Sequence, residues 1–156
     1  MENEQFARAI LGMEDTLYRI TAAQLPQRAD REDAVQETLR KAWEKRKTLR
    51  EEKYLQTWVI RILLNECHTI QRRMKRTVPM CDLPAAPAEK EDKGLKDALL
   101  QLDEKYRIPL MLYYLEGYSV KQTAQMLRLP QGTVKTRLDR GRKALKAIVK
   151  EEVFEG

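Results

Sequence analysis

Basic side chains cluster at two places along the chain, and guanidinium and ammonium groups are the donors that most often bind nucleic-acid phosphates. The first cluster is Arg-Arg-Met-Lys-Arg at residues 72–76. The second runs from Arg128 to Lys146, where seven basic residues and one acid, Asp139, give a net charge of +6, equal to that of the whole chain. Two separate clusters predict two contacts with a polyanion, and a solvated basic surface is the alternative.

The side chains that could perform catalysis or hold a metal do not form a recognisable set. Cys67, His68 and Cys81 include no CxxC pair, and a zinc site needs about four ligands at suitable spacing. The sequence has no phosphate-cradling glycine loop and no nucleophile–base pair. Asp30 and Asp33 could be metal ligands on one helix face, which is the weaker interpretation. We expect no catalytic residue, no metal site and no cofactor, hence a protein that is not an enzyme.

Composition favours a helical, cytoplasmic protein. Charged residues make up 35% of the 156 residues, with only 6 Gly and 6 Pro, and long stretches consist of good helix formers. The two cysteines do not form the spaced pattern of a disulfide framework, and this suits a protein of a reducing compartment. No apolar run approaches the roughly 20 residues of a membrane helix, so we expect no membrane insertion.

Three prolines in residues 79–87 interrupt the helical pattern, and a polar stretch of mixed charge follows. We interpret residues 77–94 as a flexible linker between two small helical domains, residues 1–76 and 95–152. The linker is either a plain tether or, through its acids, a segment suited to a basic channel.

The N-terminal half predicts three helices. The first has a buried stripe of Phe6, Ile10, Met13, Leu17 and Ile20. The second starts at Asp30 as N-cap and has an apolar side of Val35, Leu39, Ala42 and Trp43. The third spans residues 57–76 and carries a polar face of Arg61, Asn65, His68, Arg72 and Lys75. Trp58, at its start, is either a core anchor or a platform for base stacking.

The C-terminal half predicts a helix-turn-helix. A helix over residues 106–117 ends at Gly117, and Ser119 then caps a short helix. Thr133 caps a last helix whose inner side is Val134, Leu138, Gly141, Leu145 and Ile148. The outer side offers donors for phosphates and base edges, as a helix in the major groove requires. These residues are Gln131, Thr133, Lys135, Thr136, Arg137 and Arg140.

Two segments resemble the extracytoplasmic-function sigma factors of bacterial RNA polymerase. Residues 119–145, SVKQTAQMLRLPQGTVKTRLDRGRKAL, are similar to sigma region 4. Residues 30–38, DREDAVQET, are similar to the signature of sigma region 2. The resemblance covers about residues 14–150 in the order region 2, linker, region 4.

The resemblance implies a subunit that binds core RNA polymerase, through the β′ coiled coil and β flap of the polymerase, and that also binds promoter DNA. It further implies an anti-sigma factor that inhibits this subunit. The implied polymerase-binding residues are Asp30, Asp33, Gln36, Glu37 and Arg40. The implied −10 contacts are Arg61, Asn65, His68, Thr69, Arg72, Arg73 and Arg76. The implied −35 contacts are Gln131, Thr133, Lys135, Thr136, Arg137, Arg140 and Lys143.

Some positions depart from the family pattern. Arg128 stands where Gly is common, so we expect a different turn, because a left-handed non-Gly residue costs about 1 kcal/mol or more. Gln122 replaces an acid, and Asp139 adds an acid to the DNA-facing helix. An ordinary helix-turn-helix regulator, not acting as a polymerase subunit, is the alternative function. It explains residues 95–152 but leaves the DREDAVQET segment unexplained.

Overall fold

The computed structural model describes residues 1–77 and 95–155, with side chains for 1–75 and 97–150, and the regular elements in those ranges are all helical. The all-α prediction is confirmed for them. Contacts divide the chain into an N-terminal unit, Met1–Pro87, and a C-terminal unit, Ala88–Gly156. Beyond Thr77 the predicted linker lies outside the described residues, so its conformation and the domain boundaries stay predictions. In the described ranges, no helix is long and apolar enough to cross a bilayer.

Four helices build the N-terminal unit: α1 (Asn3–Gly12), α2 (Glu14–Ala22), α3 (Arg28–Glu44) and α4 (Leu55–Thr77). Short 3₁₀ turns at Arg46–Thr48 and Glu52–Tyr54 connect α3 to α4. The predicted single first helix is therefore two, because the chain tightens at Met13, whose N–H donates to the Ile10 carbonyl. The break keeps nearly helical dihedrals, so the predicted stripe from Phe6 to Ile20 is buried throughout.

The core of the N-terminal unit lies where α3 crosses α4. Val35 and Ala42 of α3 are fully buried, as are Val59 and Leu63 of α4. An ion pair between Lys41 and Glu66 also joins the two helices at the edge of this core. Apolar burial thus holds α3 and α4 together, with the ion pair at the edge of the buried surface.

Phe6 of α1 completes this core against two tryptophans. Its ring centroid lies 6.2 Å from that of Trp43 and 6.1 Å from that of Trp58. Trp43 is still 37% exposed, and the Arg46 guanidinium lies 4.1 Å from its ring centroid. The half-buried Trp58 packs as a core anchor, which is the first of the two roles considered for it.

The prediction that Asp30 caps α3 is wrong. The helix begins at Arg28, with Gln27 as N-cap in an extended conformation and no side-chain cap hydrogen bond. Pro26 ends the preceding segment, and the chain enters the helix as soon as that restriction is past. Asp30 therefore lies in the first turn, where its carboxylate faces the positive end of the helix dipole.

The C-terminal unit comprises α5 (Leu95–Leu100), α6 (Glu104–Leu110), a π turn (Met111–Leu115), α7 (Val120–Leu127) and α8 (Gln131–Glu155). The predicted helix 106–117 is thus α6 followed by the π turn. Pro109 has no N–H to donate to the Lys105 carbonyl, and the helix widens shortly after it. Gly117 has φ +78° and ends the segment, as predicted.

Leucines from α5, α6 and α8 form the core of the C-terminal unit, together with Ala124 of α7 and Val134 of α8. Gly141 permits this packing. A Cβ built there would lie 2.9 Å from Leu110 Cδ1 and 3.2 Å from Tyr106 Cβ. The absence of a side chain at position 141 is therefore what lets α6 approach α8.

The helix-turn-helix is present, with two details that differ from expectation. Ser119 caps α7 as predicted, and Gln122 completes a reciprocal capping box with it. Arg128 adopts the left-handed conformation, φ 56° and ψ 45°, so the expected change of turn is wrong. The Leu129 N–H donates to the Ala124 carbonyl at 3.0 Å, which closes a Schellman motif. Thr133 is not a cap, since α8 already begins at Gln131.

Candidate nucleic-acid interface

The α8 helix presents the predicted basic surface to solvent. Its inner side is buried at Val134, Leu138 and Gly141. The predicted contacts Gln131, Lys135, Thr136, Arg140 and Lys143 are exposed, and Thr133 and Arg137 are half-buried. At 100° per residue, Thr136, Arg140 and Lys143 lie on the centre of the outer face. Lys135 and Arg137 lie on its opposite flanks.

Interactions within α8 occupy some of these groups. Asp139 Oδ2 lies 3.3 Å from Lys143 Nζ, and Asp139 Oδ1 lies 3.9 Å from Arg142 Nη2. The Thr136 hydroxyl donates to the Gly132 carbonyl at 3.0 Å. The acid on the outer face is therefore balanced by its own helix, and the Thr136 oxygen keeps only its acceptor capacity for a DNA group.

Arg142 points toward the π turn. Its Nη1 donates to the Tyr114 hydroxyl at 2.7 Å. Tyr113 and Tyr114 pack edge to face, with centroids 4.8 Å apart. Arg142 therefore ties α8 to the π turn rather than extending the basic surface.

A groove of about 570 Å³ lies between α6 and α8. We call it the α6–α8 groove; it is lined by Lys105, Tyr106, Pro130, Gly132, Thr133, Thr136, Arg137 and Arg140. Sequence reasoning missed Lys105 and Tyr106, because they precede the helix-turn-helix. The signal that could have found them is Gly141, whose missing side chain brings α6 onto α8.

The polar face of α4 is only partly a single surface. Asn65, His68 and Arg72 are exposed together, and Arg61 is half-buried on the same face. Thr69 and Arg73 lie around the helix, where they line a groove toward α3. The side chain of Arg76 lies outside the described residues. The seven predicted −10 residues thus include a contiguous set of four and two that face elsewhere.

The groove between α3 and α4 brings together the five predicted polymerase-binding residues. It measures about 790 Å³, and its α3 side consists of Asp30, Asp33, Gln36, Glu37, Arg40 and Lys41. Its α4 side consists of Glu66, Thr69, Ile70, Arg73 and Met74. We call this the α3–α4 groove. Acidic, basic and uncharged polar residues surround an apolar strip formed by Ile70 and Met74.

Ion pairs neutralise one end of the α3–α4 groove. Arg40 binds both Glu37 and Glu44 on its own helix. The hydrogen bond from Arg40 lowers the pKa of the Glu37 carboxyl, and Arg73 lowers it further through its charge. The same hydrogen bond, which Arg40 donates to Glu37, raises the pKa of the Arg40 guanidinium. Among the described side chains, Asp30 and Asp33 form no ion pair, so the other end of the groove keeps its negative charge.

The metal-ligand interpretation of Asp30 and Asp33 gains no support. In the described ranges, His, Cys, Asp and Glu side chains nowhere gather in a group of three or more that could hold a metal ion.

Comparison with known proteins identifies both units. Family profiles described as Sigma-70 region 2 and Sigma-70, region 4 match residues 12–77 and 93–145. Together these matches cover more than half of the chain. Region 2 covers α3 and α4 with the groove between them, and region 4 covers the helix-turn-helix. The chain belongs to the sigma-70 family of RNA polymerase sigma factors.

Several of its relatives within that family are named extracytoplasmic-function (ECF) sigma factors. The chain is 30% identical over 126 residues to the ECF RNA polymerase sigma factor SigM of Mycobacterium tuberculosis, a match of 77% of this chain and 64% of SigM. It thus spans a little under two thirds of that relative. It is 27% identical over 173 residues to the ECF sigma factor SigW of Bacillus subtilis, covering 96% and 91% of the two chains.

A solved structure supports the same assignment. The sigma factor RpoE of Bartonella quintana, crystallised in complex with the anti-sigma factor NepR, aligns with a TM-score of 0.80 and 26% identity. The alignment covers 94% of this chain and 98% of that one.

Proposed function

We propose that this protein binds core RNA polymerase and directs it to promoters, with α8 contacting the −35 element and α4 contacting the −10 element. It acts in the cytoplasm as a specificity subunit without catalytic activity of its own. The observation that carries the proposal is the pairing of two surfaces on one chain: the basic outer face of α8 and the α3–α4 groove with its unpaired acids. A regulator that only binds DNA requires the first surface and not the second.

The outer face of α8 supports recognition of duplex DNA. Arg140 lies at the centre of the face, where a guanidinium can donate to the O6 and N7 acceptors of guanine. Lys135 and Arg137, on the flanks, suit the phosphates on either side of a major groove. Lys143 forms an ion pair with Asp139, so its contribution to phosphate binding is smaller than that of Arg137.

The exposed face of α4 supports contact with the −10 element. Asn65 and His68 offer hydrogen bonds to bases, and Arg72 offers charge to a phosphate. Thr69 and Arg73 line the α3–α4 groove, so a contact with DNA from them requires the DNA to pass the groove's edge. We therefore assign Asn65, His68 and Arg72 as the central −10 contacts.

The α3–α4 groove supports docking of a helical partner with basic side chains. Asp30 and Asp33 supply the unpaired negative charge, while Ile70 and Met74 supply apolar surface. A polymerase β′ coiled coil fits this description, and the β flap would be the partner of the C-terminal unit. An anti-sigma factor, such as the one bound to the Bartonella relative, would compete for these surfaces.

Run-off transcription tests the proposal. Purified core polymerase is supplied with fragmented genomic DNA of the source organism, with and without this protein. Discrete new transcripts that share −35 and −10 sequences are the expected result. DNA retention by the protein in the absence of polymerase, with no new transcript, would instead establish the regulator.

Paired variants test the two surfaces separately. Asp33→Arg should weaken binding to core polymerase by about tenfold or more. The substituted side chain is positively charged and would repel the basic side chains of the partner. Glu32→Arg changes the same charge one residue away and outside the groove. Equal loss of core binding by both variants would contradict the placement of the docking surface.

A further inference from the structure

We propose that the α6–α8 groove binds a phosphate group of the DNA backbone, with Lys105 as a contact that lies outside the helix-turn-helix. The inference rests on the proposed function, because the ligand is the duplex that α8 would recognise.

The groove has walls from two elements. Lys105 and Tyr106 of α6 form one wall, and Thr133, Arg137 and Arg140 of α8 form the other. The Lys105 ammonium lies 5.0 Å from the centroid of the Tyr106 ring. This contact holds the ammonium beside the aromatic wall of the groove that the flank residue Arg137 also lines.

The charge of the groove calls for an anion. Three of its eight lining residues are cations and none is an acid. Asp139, the acid of α8, pairs with Arg142 and Lys143, which do not line the groove. Asp103 and Glu104 precede Lys105 but do not line it either. An anionic ligand would relieve the mutual repulsion of these three cations. The Thr133 hydroxyl can donate a hydrogen bond to it, whereas the Thr136 hydroxyl already donates to the Gly132 carbonyl.

The position of the groove identifies the ligand as part of the DNA backbone. Arg137 and Thr133 lie on the flank of α8 next to the outer face that would enter the major groove. The flanks of such a helix face the sugar–phosphate ridges, whereas its centre faces the base edges. Gly141 brings α6 against this flank, so Lys105 approaches the ridge that Arg137 meets.

Salt dependence of promoter binding tests the role of Lys105. The holoenzyme is assembled with wild-type protein, Lys105→Gln, Lys105→Arg or the control Lys150→Gln, and titrated on a promoter duplex found by run-off transcription. Lys150 is also exposed, but lies ten residues, about 15 Å, beyond Arg140 along α8. Lys105→Gln should bind several-fold more weakly and lower the slope of log K against log salt by about 0.9, the value for one phosphate contact. Lys105→Arg should retain both.

A phosphate scan locates the contact and decides the matter. Each phosphate flanking the −35 element is replaced in turn by a neutral methylphosphonate. At one position the methylphosphonate should weaken binding by the wild-type holoenzyme but should not further weaken binding by the Lys105→Gln holoenzyme. Additive losses at every position, or a Lys105→Gln slope equal to that of Lys150→Gln, would overturn the proposal. Failure of the wild-type holoenzyme to bind any promoter would instead reject the function on which it rests.

Discussion

At the scale of single residues, Arg128 shows that the turn of the helix-turn-helix can form with a non-glycine residue in the left-handed conformation, which costs free energy of folding. Arg128 holds φ 56° and ψ 45°, because the Schellman hydrogen bond from Leu129 to Ala124 fixes its backbone. Leu129 also packs on the core of the C-terminal unit, which keeps the motif closed. The turn geometry is thus set by its neighbours, and the residue in it tolerates the strain.

Replacing Arg128 by Gly should therefore stabilise the C-terminal unit by about 0.5–1 kcal/mol. Glycine removes the Cβ that crowds the following carbonyl, and this gain exceeds the extra entropy of the unfolded chain. Urea unfolding followed by circular dichroism measures the change. Arg128→Ala removes the same charge but keeps the strain, so a similar gain in that variant would contradict the explanation.

The close approach at Gly141 makes the opposite prediction. Gly141→Ala should destabilise the C-terminal unit by about 1–2 kcal/mol, because overpacking against Leu110 and Tyr106 outweighs the better helix propensity of alanine. Both tryptophans of the chain lie in the N-terminal unit, so the circular dichroism transition should shift while tryptophan fluorescence does not.

Gly132→Ala is the matched control for Gly141→Ala. A Cβ at position 132 meets nothing within 4 Å, so this variant should be neutral or slightly stabilising. A destabilisation as large as that of Gly141→Ala would show that the cost comes from the helix itself and not from the α6 contact.

At the scale of elements, the contact between α3 and α4 combines apolar burial with one ion pair. Glu66 is only 9% exposed, and Lys41 is its partner across the two helices. Removing one partner leaves the other charge poorly solvated, whereas removing both does not. We therefore expect the pair to add little net free energy of unfolding, although the loss of either partner alone is costly.

We expect Lys41→Met to lower the free energy of unfolding of the N-terminal unit by about 1–2 kcal/mol, a value reduced because Lys41 is partly exposed. The double variant Lys41→Met, Glu66→Leu should recover most of that loss. Tryptophan fluorescence in urea measures both, with the exposed Lys47→Met as control. A double variant less stable than Lys41→Met would show that the pair is a net source of stability.

The helices themselves were largely predictable from sequence, and the errors share one cause. Apolar spacing located the buried sides of α1, α2, α4 and α8, because burial periodicity is a property of the local sequence. The starts of α3 and α8 were each predicted three residues late, since Asp30 and Thr133 are good caps that the chain does not use. Helix starts depend on where the preceding proline releases the backbone, which residue preferences alone do not report.

The candidate site was predicted unevenly for a similar reason. The outer face of α8 follows from one helix, and its predicted residues are exposed or half-buried as expected. The position of Thr69 and Arg73 in the α3–α4 groove depends on how α3 packs on α4. The same holds for Lys105, which reaches the α8 flank only through the contact at Gly141. Tertiary packing decides these placements, and no local pattern contains it.

At the scale of the whole molecule, charge is distributed very unequally. Residues 128–146 carry a net charge of +6, and the rest of the chain sums to zero. A complex with DNA would therefore depend on salt chiefly through α8, while contact with polymerase through the α3–α4 groove depends on a few acids. The two binding events should respond to different substitutions.

We expect Arg137→Gln with Lys143→Gln to lower the salt slope of promoter binding by the holoenzyme by about 1 to 1.8, with about 0.9 from Arg137 and less from Lys143, which Asp139 partly neutralises. Asp30→Asn with Asp33→Asn should weaken binding to core polymerase and leave that slope unchanged. Titrations on one promoter duplex at several salt concentrations, with holoenzyme formation measured separately, distinguish these effects. A slope changed equally by both pairs would contradict the separation of the two surfaces.

The π turn at Met111–Leu115 has a consequence for how this chain compares with its relatives. Its hydrogen bond from the Glu116 N–H to the Met111 carbonyl spans one residue more than an α-helical bond does. Loss of one residue here would convert this bond into an α-helical one, so we expect a change of length by one residue to leave the packing of α6 on α8 and the place of Ser119 at the start of α7 unchanged. Single-residue insertions and deletions in evolution should collect at this turn, and an alignment that puts its gap inside α6 or α7 misplaces the residues of the helix-turn-helix.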